Sequence, residues 1–197
     1  MIPCYVSGKG MHATDVTWSF KTSVINVLES SGLGYDTRFR YYRKQFPDKP
    51  IEQLARIICD PMEYYDLDWP EYKALHKSAM SKEEMATRFM LERDFKFQKE
   101  ARVAIYCFDE AGFGSGVNVM RFLYANKPIL GFINQENKLH SLNISNVLQL
   151  KAEFPQLVQL VEYRSMKQIT DEVIRYLNHI TPEDNKDKLH LVVDKNP

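Results

Sequence analysis

The chain has 197 residues, of which 44% are hydrophobic and 26% are charged. These values are typical of globular proteins and exclude a disordered or membrane-embedded chain. Lysine plus arginine balances aspartate plus glutamate at 26 each, so no net charge draws the molecule onto a nucleic-acid polymer or an anionic membrane.

The length suits one domain of roughly 100 to 200 residues. We predict a single α/β domain over residues 1–182 and a polar tail over residues 183–197. No basic segment leads into a long apolar run, which favours a cytoplasmic protein without a membrane partner. The three cysteines are odd in number and widely spaced, so Cys4 and Cys107 are expected to be buried thiols rather than disulfide or zinc partners.

The N-terminal region predicts a strand, a helix and a surface segment. Residues 2–6 form a short apolar run, and the turn Ser7-Gly8-Lys9-Gly10 follows it. Residues 15–30 have apolar side chains every three or four positions, which predicts an amphipathic helix. Its expected core stripe consists of Val16, Phe20, Val24, Val27 and Leu28. Residues 35–48 are rich in tyrosine and arginine and suggest an irregular or strand-plus-loop segment.

The next region predicts two helices around an acidic aromatic loop. Residues 51–59 suggest a short helix, and Ser81 with Glu84 makes the capping box of a long one. Residues 35–80 as a whole are a candidate lid or insertion. The aromatic residues of its loop are Tyr64, Tyr65 and Trp69. These rings either stack on a base or, as we prefer, pack against their own domain.

Residues 103–108 are an unbroken apolar run, which predicts a central strand buried on both faces. The elements predicted after it are a turn over 112–116, a helix over 117–125, a strand over 129–133, a strand over 158–163 and a helix over 166–180. Strand, helix and strand in this order form a right-handed βαβ unit. We therefore predict a doubly wound, Rossmann or flavodoxin-like parallel sheet of four to five strands.

Two glycine-rich turns follow strands of this sheet, at the edge where doubly wound sheets bind ligands. The first turn holds the candidate ligand residues Ser7, Gly8, Lys9 and His12. The second contains Gly114-Ser115-Gly116 before a helix, where backbone N–H groups and the helix dipole suit an anion. The alternative is that these glycines only permit a tight turn. Ser115 is a candidate donor to a phosphate or ribose hydroxyl, and Arg121 faces either the ligand or water.

Several motifs between residues 103 and 133 occur together in one known family. They are the apolar strand ending at Asp109, the turn Gly114-Ser115-Gly116-Val117 and the run Asn126-Lys127-Pro128-Ile129-Leu130. With the opening Tyr5-Val6-Ser7-Gly8, they resemble the nucleoside 2-deoxyribosyltransferase family and the related deoxynucleotide N-hydrolases. The resemblance implies a nucleoside or nucleotide ligand, cleavage of an N-glycosidic bond and a homo-oligomer whose sites borrow residues from a neighbour.

One position departs from that family. Counting back from Lys127, the family's nucleophilic glutamate falls on Asn118, and an amide cannot form the covalent ribosyl ester. Either the register differs, another acid such as Asp109 or Glu110 acts, or the site binds a nucleotide without cleaving it. Asp109 is the leading candidate because a carboxylate stabilises an oxocarbenium-like state. An acid at the end of a strand also caps the following turn.

The sequence thus leaves two main functions open. One is a nucleoside or nucleotide N-glycosidic bond hydrolase or deoxyribosyltransferase, and the other is a catalytically inactive nucleotide-binding module or sensor of the same fold. A more distant third is an NAD-consuming domain of the Toll/interleukin-receptor kind. No cofactor is expected, and no metal, because no histidine or cysteine spacing is that of a metal site. The helix face Phe122, Leu123 and Tyr124 serves either a homo-oligomer interface or the core.

Overall fold

The fold is built from strands and helices in the part of the chain that the computed structural model describes, which is residues 1–9, 13–59, 74–75, 81–136 and 142–180. The strands are β1 (Ile2–Ser7), β2 (Gly34–Asp36), β3 (Val103–Cys107), β4 (Ile129–Asn134) and β5 (Val158–Tyr163). The helices are α1 (Asp15–Ser31), α2 (Thr37–Gln45), α3 (Ile51–Cys59), α4 (Lys82–Glu100), α5 (Phe113–Tyr124), α6 (Leu142–Glu153) and α7 (Met166–His179). The tail over 183–197 and the aromatic loop predicted between α3 and α4 lie outside the described residues.

The five strands form one parallel sheet in the order β2-β1-β3-β4-β5, which confirms the predicted doubly wound fold. In register, Cys4 lies beside Asp36 and Ser7 lies beside Tyr106. The chain passes from β1 outward to β2 on one side, whereas β3 continues to β4 and β5 on the other. The strand order therefore reverses between β1 and β3, and in flavodoxin-like sheets the ligand crevice lies at that point.

Helices cover both faces of the sheet. On one face α1 packs against α7. The other carries α4, α5 and α6, as right-handed crossovers require, and there Tyr5 of β1 packs on Phe122 of α5. β3 is buried at every residue, as predicted for the central strand. No helix in the described ranges is both long enough and apolar enough to cross a membrane.

Several details of the core correct the sequence predictions. Val16 is 41% exposed, because the buried stripe of α1 passes through Thr17 and Lys21 instead. Phe122 and Leu123 are buried in the core, so of the predicted interface face only Tyr124 is exposed. Other predictions are confirmed. Cys4 and Cys107 are buried free thiols, and burial raises the pKa of Cys107 to about 12.

Two helices were not predicted. Residues 37–45 form α2 rather than an irregular segment, because Asp36 at the end of β2 caps the helix by accepting from the backbone N–H groups of Arg38 and Phe39. The sequence of α2 is too polar to show a helical apolar period, although Phe39 and Tyr42 anchor it in the core. The second helix is α6, between β4 and β5.

Candidate functional site

The two predicted ligand turns meet where the strand order reverses. Ser115, in the first turn of α5, donates from Oγ to the carbonyl oxygen of Gly8 at 3.4 Å. Ser115 is buried by this contact, so its hydroxyl holds the start of α5 against the turn after β1. The sequence thus correctly placed these two turns side by side.

Among the described residues, no side chain of the N-cap residue caps the start of α5. The helix begins at Phe113, four residues before the predicted position, because Gly114 and Gly116 adopt helical backbone instead of forming a separate turn. A Cβ on either glycine would meet no atom within 4 Å, and neither has the left-handed φ that favours glycine. Gly112 at the N-cap offers no side-chain cap. Neither packing nor a tight turn requires these glycines.

The turn after β1 is held rigidly. A Cβ on Gly8 would lie 3.1 Å from Cγ2 of Thr17 and 3.2 Å from Cβ of Cys107, so a glycine lets β1 approach β3 closely. The buried Lys21 of α1 donates from Nζ to the Lys9 carbonyl at 2.6 Å. The predicted ligand residue His12 lies outside the described residues.

Glu110 accepts hydrogen bonds from residues at the N-terminus of α1. Its Oε2 accepts hydrogen bonds from the Thr14 backbone N–H at 3.1 Å, the Thr14 hydroxyl at 2.9 Å and the Thr17 hydroxyl at 2.5 Å. Lys9 Nζ lies 3.6 Å from Oε1. Burial alone would raise the pKa of Glu110, but these hydrogen bonds and Lys9 outweigh it and lower the pKa below its ordinary value. The carboxylate thus joins the N-cap residue of α1 to the end of β3, and within the described residues neither α1 nor α5 has a side-chain cap hydrogen bond from its N-cap residue.

Asp109 turns toward β4 and β5. Its Oδ1 accepts from the Asn134 backbone N–H at 2.6 Å, and its Oδ2 accepts from the Tyr163 hydroxyl. The Cys107 thiol lies 3.6 Å from Oδ2. Burial, with this hydrogen bond to Asp109, raises the pKa of Tyr163 and keeps the phenol protonated. The placement ties three strand ends together, which is a structural role different from the predicted cap of the following turn.

A polar cluster that the sequence did not indicate lies under the open side of the site. Tyr5, Tyr106 and Gln98 are buried beneath α4 and α5, on the sheet face away from α1. Ser7 and Asn118 lie close enough to the Tyr106 hydroxyl to oppose the rise that burial causes in its pKa. No hydrogen bond to that hydroxyl, or to either amide atom of Gln98, is formed by the described residues. The sequence feature that could have indicated this cluster is the presence of a tyrosine in each of two buried strands.

Charged side chains flank this cluster. The guanidinium of Arg38 lies 4.3 Å from the Tyr5 ring centroid, donates to the Val6 carbonyl and pairs with Asp36 at 3.4 Å. Asp94 on α4 is half-buried and, after burial itself, is the main cause of the raised pKa of Tyr5. Sequence reasoning missed it because α4 shows many exposed charges.

On α5, Arg121 donates from Nη1 to Oδ1 of Asn118 at 3.4 Å, and its guanidinium lies 5.6 Å from the Phe95 ring centroid. The predicted ligand residues Asn118 and Arg121 thus contact each other on one side of the helix. Asn118 is half-buried, and it contributes to the pKa of Tyr106.

Lys127 has a structural contact. Its Nζ donates to the carbonyls of Gln98 at 3.0 Å, Lys99 at 2.7 Å and Ala101 at 2.6 Å, which closes the C-terminus of α4. Burial lowers the pKa of Lys127. The Asn-Lys-Pro run before β4 therefore joins α4 to the sheet and does not reach the ligand edge.

Among the residues that the structure describes, no three histidine, cysteine or acidic side chains come together as metal ligands. Comparison with known proteins adds no assignment: no protein-family model matches the chain, and no curated protein matches its sequence significantly. The geometry of the candidate site is therefore the evidence on function.

Proposed function

We propose that this chain is a nucleotide-binding domain that holds a nucleoside phosphate where the strand order reverses. The observation that carries the proposal is the open N-terminus of α5, which Ser115 holds against the turn of Gly8. Unpaired backbone N–H groups and the helix dipole at such a point favour a phosphate. The crevice between β1 and β3 is also the ordinary ligand position in this strand order.

The glycines of α5 support the same proposal. Glycine in a helix costs roughly 0.5–1 kcal/mol relative to alanine. Gly114 and Gly116 bear this cost although a side chain would fit at both positions. Packing does not explain glycine at these two positions, whereas close approach of a ligand to the bare backbone would explain it.

Binding without cleavage is the form of the proposal that the site supports best. Both oxygens of Asp109 accept hydrogen bonds from the sheet, and Oε2 of Glu110 accepts three while its Oε1 lies 3.6 Å from Lys9, so both predicted acids are engaged by the protein itself. An asparagine stands at position 118, where the resembled family has its nucleophile. A nucleotide sensor or carrier needs no such acid.

A second candidate function is hydrolysis or transfer at an N-glycosidic bond. Asp94 favours it, because the charge of this half-buried carboxylate contributes to the raised pKa of both Tyr5 and Tyr106. A carboxylate there is suited to stabilise an oxocarbenium-like transition state or to orient water. Asp94 also lies 3.5 Å from Arg93.

The test is a panel of nucleosides, nucleoside 5′-monophosphates and their deoxy forms, scored by thermal shift and by chromatographic release of free base. A shift with monophosphates and no released base is the expected result. Base release that Asp94→Asn abolishes and Asp109→Asn retains would establish the second candidate instead. The absence of any shift across the panel would reject nucleotide binding.

As part of the same proposal we infer a cytoplasmic homo-oligomer. Its proposed face carries exposed apolar side chains on α4, α5 and α6, namely Phe95, Phe113, Val117, Tyr124 and Leu148. A groove of about 820 Å³ between α5 and α6 adjoins them. Light scattering after size exclusion tests this, and Tyr124→Glu should dissociate the assembly. A monomeric wild type would contradict it.

A further inference from the structure

Gln98 of α4 and Tyr106 of β3 carry buried polar atoms without partners. Gln98 is 4% exposed and Tyr106 is fully buried. Within the described ranges, neither the amide oxygen and nitrogen of Gln98 nor the hydroxyl of Tyr106 makes a hydrogen bond. Folded proteins rarely leave buried polar groups unpaired, because the lost hydration is not replaced. Three such atoms in one place therefore indicate a function outside the fold itself.

Both residues border the proposed nucleotide site. Tyr106 is the register partner of Ser7, which ends β1. Ser7 and Asn118 lie beside the Tyr106 hydroxyl, and the Tyr5 hydroxyl lies beside Gln98. The unpaired atoms thus lie between the crevice and α4, on the side away from the acids that cap α1 and the sheet.

We propose that Gln98 and Tyr106 are specificity-determining residues that hydrogen-bond the base of the bound nucleotide. The proposal rests on the nucleotide-binding function inferred above. A carboxamide presents a donor and an acceptor side by side, which matches the paired donor and acceptor on a base edge. A phenol adds a group that donates or accepts. In this arrangement the first turn of α5 holds the phosphate, and α4 with β3 reads the base.

The experiment compares Gln98→Leu and Tyr106→Phe with wild type. Both variants keep most of the side-chain volume and remove only the unpaired polar atoms. Their matched controls are Gln53→Leu on the exposed face of α3 and Tyr176→Phe on α7. The probes are AMP, GMP, CMP and UMP, with ribose 5-phosphate as the ligand that lacks a base.

We expect the melting temperature of each ligand-free variant to equal or exceed that of wild type, because an unpaired buried polar group is removed. The Kd for the nucleotide that wild type binds should rise at least tenfold, which is about 1.4 kcal/mol. Ribose 5-phosphate should bind as before, and the control variants should match wild type throughout.

Other results overturn the proposal in distinguishable ways. Unchanged nucleotide Kd in both variants, or equal weakening of nucleotide and ribose 5-phosphate, would reject base recognition while leaving nucleotide binding intact. Lower melting temperatures with unchanged Kd would show that the two side chains serve the fold, through internal water. A wild type that binds none of the probes would reject the nucleotide-binding function, and this inference with it.

Discussion

Alanine at Gly114 and Gly116 should raise the stability of the protein and lower its affinity for phosphate-bearing ligands. Both glycines have helical backbone in the first turn of α5, and a Cβ at either would contact nothing. Relief of the helical glycine cost is worth roughly 0.5–1 kcal/mol at each position. The free energy of unfolding of the double variant should thus be about 1–2 kcal/mol higher than that of wild type. This raises the melting temperature by roughly 2 to 8 °C.

The assay is thermal unfolding with and without AMP and ribose 5-phosphate, followed by calorimetric Kd values for both. Two methyl groups over the free N–H groups should weaken both ligands at least tenfold, since both carry the phosphate. Gly32→Ala is the control of opposite sign: its φ of +67° is left-handed, so alanine there should cost about 1 kcal/mol and leave binding unchanged. A double variant that is more stable but binds normally would refute the phosphate position, and a less stable one would refute the reasoning about the glycines.

Three further predictions concern the scaffold. Lys127→Met keeps the aliphatic stem but removes three hydrogen bonds to the end of α4, so urea unfolding should show a loss of about 1–3 kcal/mol. Glu110→Gln weakens the acceptor of the Thr17 hydroxyl and should cost about 1–2 kcal/mol at neutral pH. The folded pKa of Glu110 lies below its usual 4.5, so this stabilisation is present above that value and is lost as the pH falls through the folded pKa. The melting temperatures of the variant and of wild type should therefore converge in acid. Asp109→Asn should lower the melting temperature by weakening the bond from Tyr163, without changing the nucleotide Kd, and an intact fold with lost base release would show that Asp109 is catalytic after all.

β3 and β4 were predictable because burial on both faces leaves a clear mark in sequence, whereas the three-residue β2 was not. β3 and β4 are unbroken apolar runs, and with turns and helices between them they admit only a parallel sheet. α2 was not predictable in the same way. It is held by the Asp36 cap and two aromatic anchors, which local apolar periodicity does not reveal.

The contact between the two glycine-rich turns was also predictable, but the contacts of the neighbouring acids were not. Glycine turns after strands located the contact of Gly8 with Ser115. The roles of Asp109 and Glu110 depend on which distant donors face them, such as Thr17 of α1. Those contacts join residues far apart in the chain, and spacing within a motif carries no information about them. The buried Gln98 lacked any signal, since its helix is rich in charged residues.

The two faces of the sheet differ in the hydrogen bonding of their polar groups. On the α1 face, Glu110 accepts hydrogen bonds from the N-cap residue Thr14, and Asp109 joins three strand ends. On the α4 and α5 face a helix N-terminus is open, and Gln98 and Tyr106 have polar atoms without partners among the described residues. Paired polar groups stabilise the fold, whereas unpaired buried polar groups lower its stability, which a bound ligand would offset by pairing with them.

A carboxylate with a catalytic role would therefore have to lie on the α4 and α5 face. Asp94 satisfies that condition, and Asp109 does not. Comparing Asp94→Asn with Asp109→Asn in one base-release assay thus tests more than the identity of a catalytic acid. Loss of activity only in Asp109→Asn would mean that the paired face performs the chemistry, and the assignment of the two faces to scaffold and site would be wrong.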